Sequence, residues 1–242
     1  MSRPLLEICI DDAAGLDAAI AGGADRVEVC AVLELGGLTP TPGLLALAAA
    51  APVAARAMIR HRPGDFVFSP AEEAAMLADI AACGAAGIEG VVLGASRADG
   101  RLDTRLLTRL AAAAGPMRRT LHRAFDLVPD FAEAIEIAVE LGFDTILTAG
   151  GARDCLAGAD NLARIAELAA GRIAIMPGAG VTPAAIARLR RTLPLAAVHG
   201  SASERAAPAT PPAQQLGFVS PARRRTSRPK VAALRAALDT PA

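Results

Sequence analysis

The sequence has no surplus of either charge. Its 25 Lys and Arg residues face 25 Asp and Glu residues along 242 positions, for a formal net charge of +0 at pH 7. A chain so balanced lacks the basic surface that broad attachment to nucleic acid or anionic lipid requires, so neither partner is expected. No uninterrupted apolar run approaches the roughly 20 residues needed to cross a bilayer. The opening Met1-Ser-Arg-Pro-Leu-Leu-Glu7 has no long apolar core of the secretory kind, because Glu7 interrupts it, and a cytoplasmic location is the expectation. Four cysteines (Cys9, Cys30, Cys83 and Cys155) show no CxxC spacing and do not form the framework of a disulfide-stapled chain. Tryptophan and tyrosine are absent, and phenylalanine occurs 6 times. What the chain has in quantity is apolar side chains, at 53% of residues, with 21% charged, which excludes a disordered polypeptide. The length is ample for a buried core.

Short apolar or β-branched runs alternate with Ala- and Leu-rich stretches of helical period. Strands are expected at Leu5–Ile10, Arg26–Ala31, Ala55–Arg60, Gly90–Leu93, Arg118–Arg123, Thr145–Ala149, Arg172–Met176 and Ala196–His199. Helices are expected near residues 12–22, 43–51, 70–84, 103–114, 130–141, 158–170, 183–193 and 230–238. Ser69-Pro70 followed by Glu72 and Glu73 reads as an N-cap, a first-turn proline and dipole-matched carboxylates, and Thr182-Pro183 repeats the cap. Gly142 marks a helix end. Units of about 30 residues are the size of a βα repeat in a (β/α)8 TIM barrel, typically about 250 residues long. The competing doubly wound sheet loses its dinucleotide-binding form, because Cys9-Ile10-Asp11-Asp12 at the first junction contains no GxGxxG. A single TIM-barrel domain over residues 1–242 is the expected architecture. Residues 201–230 break the rhythm with 5 prolines and the run Arg223-Arg224-Arg225. The expectation there is an irregular loop after the eighth strand, either a lid over the active face or a mobile surface segment.

The strongest local signal is a repeat of Glu-x-Cys, as Glu7-x-Cys9 and Glu28-x-Cys30, in the first two strands. Side chains alternate along a strand, so each Glu shares a face with its Cys. An unpaired carboxylate under the outer helices would cost several kcal/mol, on the order of the penalty for any buried charge, so these residues should point into the barrel. Strands about 4.8 Å apart would make the two pairs neighbours, subject to barrel stagger. Glu7 and Glu28 are candidate acid/base groups, with Arg60 and Arg62 of the third strand as anion clamps and Arg60 as the partner of Glu28. A structural ion-pair network is the alternative. His122, at the end of the fifth strand, is a candidate general acid/base, with Asp126 either orienting it or capping a loop. The loops after barrel strands seven and eight are the usual phosphate site. There, Gly178-Ala179-Gly180 and Ser201 are candidate anion contacts, against a simple tight turn. Cys83 and Cys155 read as structural.

Taken with Gly23-Ala24-Asp25-Arg26-Val27-Glu28-Val29-Cys30 and Glu34-Leu35-Gly36-Gly37-Leu38-Thr39-Pro40, the pattern resembles the CutC family, named for copper homeostasis. Arg60-His61-Arg62-Pro63-Gly64-Asp65-Phe66 is similar to the family's Arg-Pro-Arg-Gly-Gly-Asp-Phe segment, departing at His61 and Pro63. Thr120-x-His122-Arg123-Ala124-Phe125-Asp126, Leu147-Thr148-Ala149-Gly150-Gly151 and Gly178-Ala179-Gly180-Val181 also resemble family segments. The likeness runs from about Leu5 to Ser201 and fades over the Pro-rich stretch. It implies a (β/α)8 barrel, a cytoplasmic homo-oligomer and a copper connection, with Cys9 and Cys30 as the matching cysteines. Two thiolates on adjacent strands suit Cu(I), a soft ion content with sulfur; buried packing of two small side chains is the alternative. Two functions follow as expectations. One is Cu(I) binding through Cys9 and Cys30, and the other is an enzyme acting on a small phosphorylated or carboxylated metabolite through the Glu/Arg/His cluster.

Overall fold

The protein is described by a computed structural model covering residues 3–220 and 223–240. The chain alternates strand and helix: β1 (Leu5–Ile10), α1 (Ala13–Ala21), β2 (Arg26–Val29), α2 (Pro42–Ala49), β3 (Ala54–Met58), α3 (Pro70–Ala86) and β4 (Gly90–Leu93). It continues with α4 (Thr104–Ala114), β5 (Arg118–Leu121), α5 (Phe131–Glu140), β6 (Thr145–Thr148), α6 (Ala159–Ala169), β7 (Ala174–Pro177), α7 (Pro183–Leu189) and β8 (Ala197–Gly200). A hairpin of β9 (Ser203–Arg205) and β10 (Arg224–Thr226) carries a short helix α8 (Pro211–Gln215) at its tip, and α9 (Arg228–Asp239) ends the described chain. Short 3-10 turns at Leu33–Leu35 and Arg123–Leu127 follow β2 and β5.

The eight central strands are parallel, in the order β7-β6-β5-β4-β3-β2-β1-β8, and β8 comes round beside β7 without a paired register. This is a (β/α)8 barrel, nearly closed. Local chemistry sets the helix starts. Ser69 accepts the Glu72 N–H while Glu72 accepts the Ser69 N–H, a reciprocal cap on α3, and Thr182 accepts the Ala185 N–H to start α7. Gly142, one residue past the cap of α5, takes a φ of 69°, the left-handed turn that a glycine adopts without steric cost.

Strand alternation divides the side chains. Leu6, Ile8, Ile10, Val27, Val29, Ile146 and Val198 point outward into the main core shared with the helices. The inward positions are polar for much of the barrel's height. Near its base Arg56 donates to Thr120 at 2.6 Å and to Asp144 at 2.7 Å. Two small apolar groups complete the interior, Cys30 with Met58 and Val92, and Leu147 with Met176 and Ala197.

Residues 201–230 are not the irregular loop expected from the sequence. Ser203, Glu204 and Arg205 pair with Thr226, Arg225 and Arg224 in an antiparallel ladder. Among the described residues, Pro208 lies between the strands and Pro211, Pro212 and Pro229 at helix starts, where a missing N–H costs nothing. Pro221 and Ala222 lie outside the described residues. No helix among the described residues is long and apolar enough to cross a membrane.

Candidate functional site

Cys9, Glu28 and His199 stand near the C-terminal ends of their strands and Arg60 and His122 just past theirs, while Glu7 and Arg26 lie deeper in the barrel. The register of β1 against its two neighbours decides what meets what. Glu7 lies beside Arg26 on one flank and His199 on the other, and Cys9 lies beside Glu28. Glu7 is fully buried and accepts from Arg26 Nε at 2.5 Å, while its other oxygen lies 2.8 Å from His199 Nδ1. Burial pushes the Glu7 carboxyl up, but Arg26 and His199 outweigh it and hold the group at about 2. Burial likewise opposes charge on His199, yet Glu28, Cys9 and Glu7 around it keep its affinity for a proton well above the ordinary imidazole value. Glu28 is raised by burial, with the Glu7 charge adding to it and His199 pulling against it. Its Oε2 is 3.8 Å from His199 Nε2, so two titratable groups face each other across a short gap.

Arg60 is not the partner of Glu28. It donates to the carbonyls of Leu35, Gly37 and Gly64 at 2.8–3.1 Å and lies 5.1 Å from the Phe66 ring centre. The stagger between β2 and β3 sets Arg56, not Arg60, beside Glu28, so Arg60 rises past the strand end and pins the loops. Arg62 lies farther out and pairs with Glu72 and Asp65, away from the cavity. It braces the entry to α3.

His122 sits at the cavity wall, its ring 4.7 Å from that of Phe66. Its Nδ1 accepts the Ala124 N–H at 3.1 Å, so the neutral tautomer carries its proton on Nε2. Burial, then the charge of Arg60, presses its pKa down to about 3. His122 is therefore a neutral donor at neutral pH. Asp126 does not orient it: it accepts from Arg123 and from the N–H groups of Ala149 and Gly151, tying down the loop after β6.

These groups surround a cavity of about 610 Å³ at the barrel mouth. Cys9, Glu28, Arg60, His122 and His199 form its polar part, and Gly180, Ser201, Arg224 and Lys230 stand on the side of the β7 and β8 loops. Met58, Phe66, Leu147, Val181 and Leu234 supply apolar wall. Gly178 is outside the lining. A Cβ there would come within 2.4 Å of Leu147, so this glycine serves packing against β6. Gly180 faces the cavity in a left-handed conformation, φ 71°.

Cys30 is displaced from the cavity as well. Its thiol lies 3.5 Å from Glu28 Oε2, and burial pushes its pKa well up. The group whose donor atoms converge within 4.8 Å is Cys9, Glu28 and His199. Cys83 and Cys155 are buried free thiols remote from this group, and burial raises both.

His199, Arg26, Arg224 and Lys230 received no role from the sequence. A signal for His199 existed: a closed barrel sets strand eight beside strand one, so a histidine ending β8 must meet the inward residues of β1.

The model of the CutC family matches residues 4–204. The chain belongs to the CutC family. A family protein CutC from Rhizobium meliloti is 55% identical over 242 residues, 100% of this chain and 99% of the relative. One from Chromobacterium violaceum is 43% identical, covering 97% of this chain and 98% of its own. A solved CutC from Streptococcus agalactiae, whose description names copper homeostasis, superposes with a TM-score of 0.78 at 29% identity, over 82% of this chain and 98% of its own. A phosphoribosylanthranilate isomerase from Thermotoga maritima gives a TM-score of 0.59 at 13% identity, over 97% of this chain and 98% of its own, a likeness of fold alone. The CutC match stops within β9, at residue 204, so β10 and α9 lie beyond it.

Proposed function

We propose that this CutC family barrel binds a small oxyanion-bearing metabolite at its mouth and exchanges protons with it through Glu28 and His199. The observation that carries this reading is the cavity of about 610 Å³. It falls within the roughly 300–1,000 Å³ of small-molecule sites, far more room than a lone ion needs. Three of its lining residues hold buried polar atoms without a protein partner, Glu28 Oε1, Arg60 Nε and His122 Nε2. An unsatisfied buried group of this kind costs on the order of 1–3 kcal/mol, a cost that stability alone would not retain. Glu28 and His199 supply acid and base, His122 a neutral donor, and the cations of the rim draw in an anion.

The test is a melting screen of phosphorylated and carboxylated metabolites on wild type and Glu28→Gln. A stabilising compound whose effect the variant abolishes is the expected result. A screen without stabilising compounds, or hits indifferent to the substitution, would overturn the reading.

A second reading is favoured by one further observation, the convergence of Cys9, Glu28 and His199. On this reading the copper connection named for the streptococcal relative would extend to this chain. The donors present are one sulfur, one nitrogen and one carboxylate oxygen, and Glu7 on His199 Nδ1 is the carboxylate–histidine support common behind metal ligands. That set fits a borderline ion such as Cu(II) or Zn(II) better than the two-thiolate Cu(I) site expected of Cys9 with Cys30. A cytoplasmic, homo-oligomeric protein is part of the proposal on the family resemblance.

A further inference from the structure

The chain contains 25 basic residues, and one of them, Lys230, is its sole lysine. It stands in the first turn of α9 beside Arg228, with no acidic residue in that turn. Positive charge at a helix N-terminus opposes the macrodipole, so α9 gains nothing from this placement. Lys230 lines the cavity instead, as does Arg224 of β10.

One residue holds the two cations together. Lys230 Nζ donates to the Ser203 carbonyl at 2.8 Å, and Arg224 donates to the same carbonyl at 2.9 Å and to Ser203 Oγ at 2.8 Å. Ser203 Oγ in turn lies 3.1 Å from the hydroxyl of Ser201, another lining residue. Among the described residues, neither cation lies within 4.0 Å of a carboxylate. Arg225, the next residue along the strand, does, pairing with Glu204 at 2.8 Å. Strand alternation thus turns one arginine of the run to an internal partner and leaves the other on the cavity side. Both side chains are exposed, so water screens their mutual repulsion, and the Glu204 charge acts on Lys230 from beyond contact distance; an anion bound between the two cations would remove the repulsion that is left.

Resting on the reading of the mouth as a metabolite site, we infer that Arg224 and Lys230, with the Ser201 hydroxyl, form the receptor for a terminal phosphate group of the ligand. Two positive charges match a phosphate monoester dianion, and a guanidinium fork beside a compact ammonium offers more donors than one carboxylate can use. The ligand's other end reaches Glu28 and His199 across the apolar wall of Leu147, Val181 and Leu234.

Inorganic phosphate, glycerol 3-phosphate and malonate are titrated calorimetrically into wild type, R224Q/K230Q, R225Q and E28Q, with circular dichroism confirming the fold. Phosphate and glycerol 3-phosphate are expected to bind wild type and R225Q alike and to weaken at least about tenfold in R224Q/K230Q. Equal binding by the double variant, or no phosphate binding by wild type, overturns the inference. So does a preference for malonate. A metabolite effect lost in E28Q and kept in R224Q/K230Q sinks this inference alone. Phosphate binding lost in R224Q/K230Q, with no Glu28-dependent metabolite, supports the receptor and sinks the acid/base reading.

Discussion

Cys9 lies directly across the parallel β1–β2 ladder from Glu28, and not from Cys30. That pairing turns two look-alike Glu-x-Cys segments into unlike environments. One cysteine joins a carboxylate and an imidazole at the cavity, and the other retreats behind the carboxylate into apolar packing.

Metal binding, where it occurs, should follow this geometry. Copper titrated against a competing chelator is expected to bind Cys9→Ser and His199→Asn far more weakly than wild type, with Cys30→Ser close to wild type. Glu7→Gln, which removes the support behind His199, should cost about 10–100-fold in affinity. Loss of binding in Cys30→Ser equal to that in Cys9→Ser would restore the two-thiolate site.

Glu7→Gln also tests the buried ion pair. Arg26 is 5% exposed and pairs with the Glu7 carboxylate, so the variant leaves a buried guanidinium uncompensated. A loss of about 3–5 kcal/mol is expected, read from the urea unfolding midpoint. A change below about 1 kcal/mol would mean that water reaches the pair.

His122 gives a pH dependence of known sign. Its folded-state pKa is about 3 against an ordinary 6.5, so between those values the unfolded chain binds the extra proton. The contribution of His122 to stability is complete above pH 6.5 and is lost progressively as pH falls toward 3. His122→Asn should flatten that part of the stability profile. Nitrogen NMR should show a fixed Nε2–H tautomer with no titration between about pH 5 and 8; an imidazolium signal near pH 6 would contradict it.

Gly94, the residue after β4, is the floor on which the His122 ring rests. A Cβ there would lie 2.1 Å from His122 Cε1, so Gly94→Ala must push the imidazole out of place. A cost of about 1–3 kcal/mol is expected from overpacking, together with loss of the fixed tautomer signal. An alanine variant with wild-type melting temperature and an unchanged His122 resonance would show that the ring has room to move.

The elements were legible because their signals are local. The reciprocal cap at Ser69 and Glu72, the Thr182-Pro183 start and the outward Leu6-x-Ile8-x-Ile10 stripe each act within a few residues. They mark where a helix begins or which face of a strand is oily. The inward direction of Glu7 and Glu28 was equally plain, since a carboxylate under the helices would be left unpaired. The hairpin of β9 and β10 was missed because its strands are three residues each and stand 18 residues apart, too short for a period to show.

The sequence by itself thus determined a barrel of alternating strands and helices with an acidic, basic and sulfur-bearing interior. Tertiary structure alone decided the partners. Closing eight tilted strands offsets each against the next, and that offset gave Arg26 to Glu7, Glu28 to Cys9 and His199 to both carboxylates, while carrying Arg60 past the strand end to backbone carbonyls. Local pattern fixes which face a side chain takes; its neighbour across the ladder depends on a stagger set by ring closure, which no single strand contains.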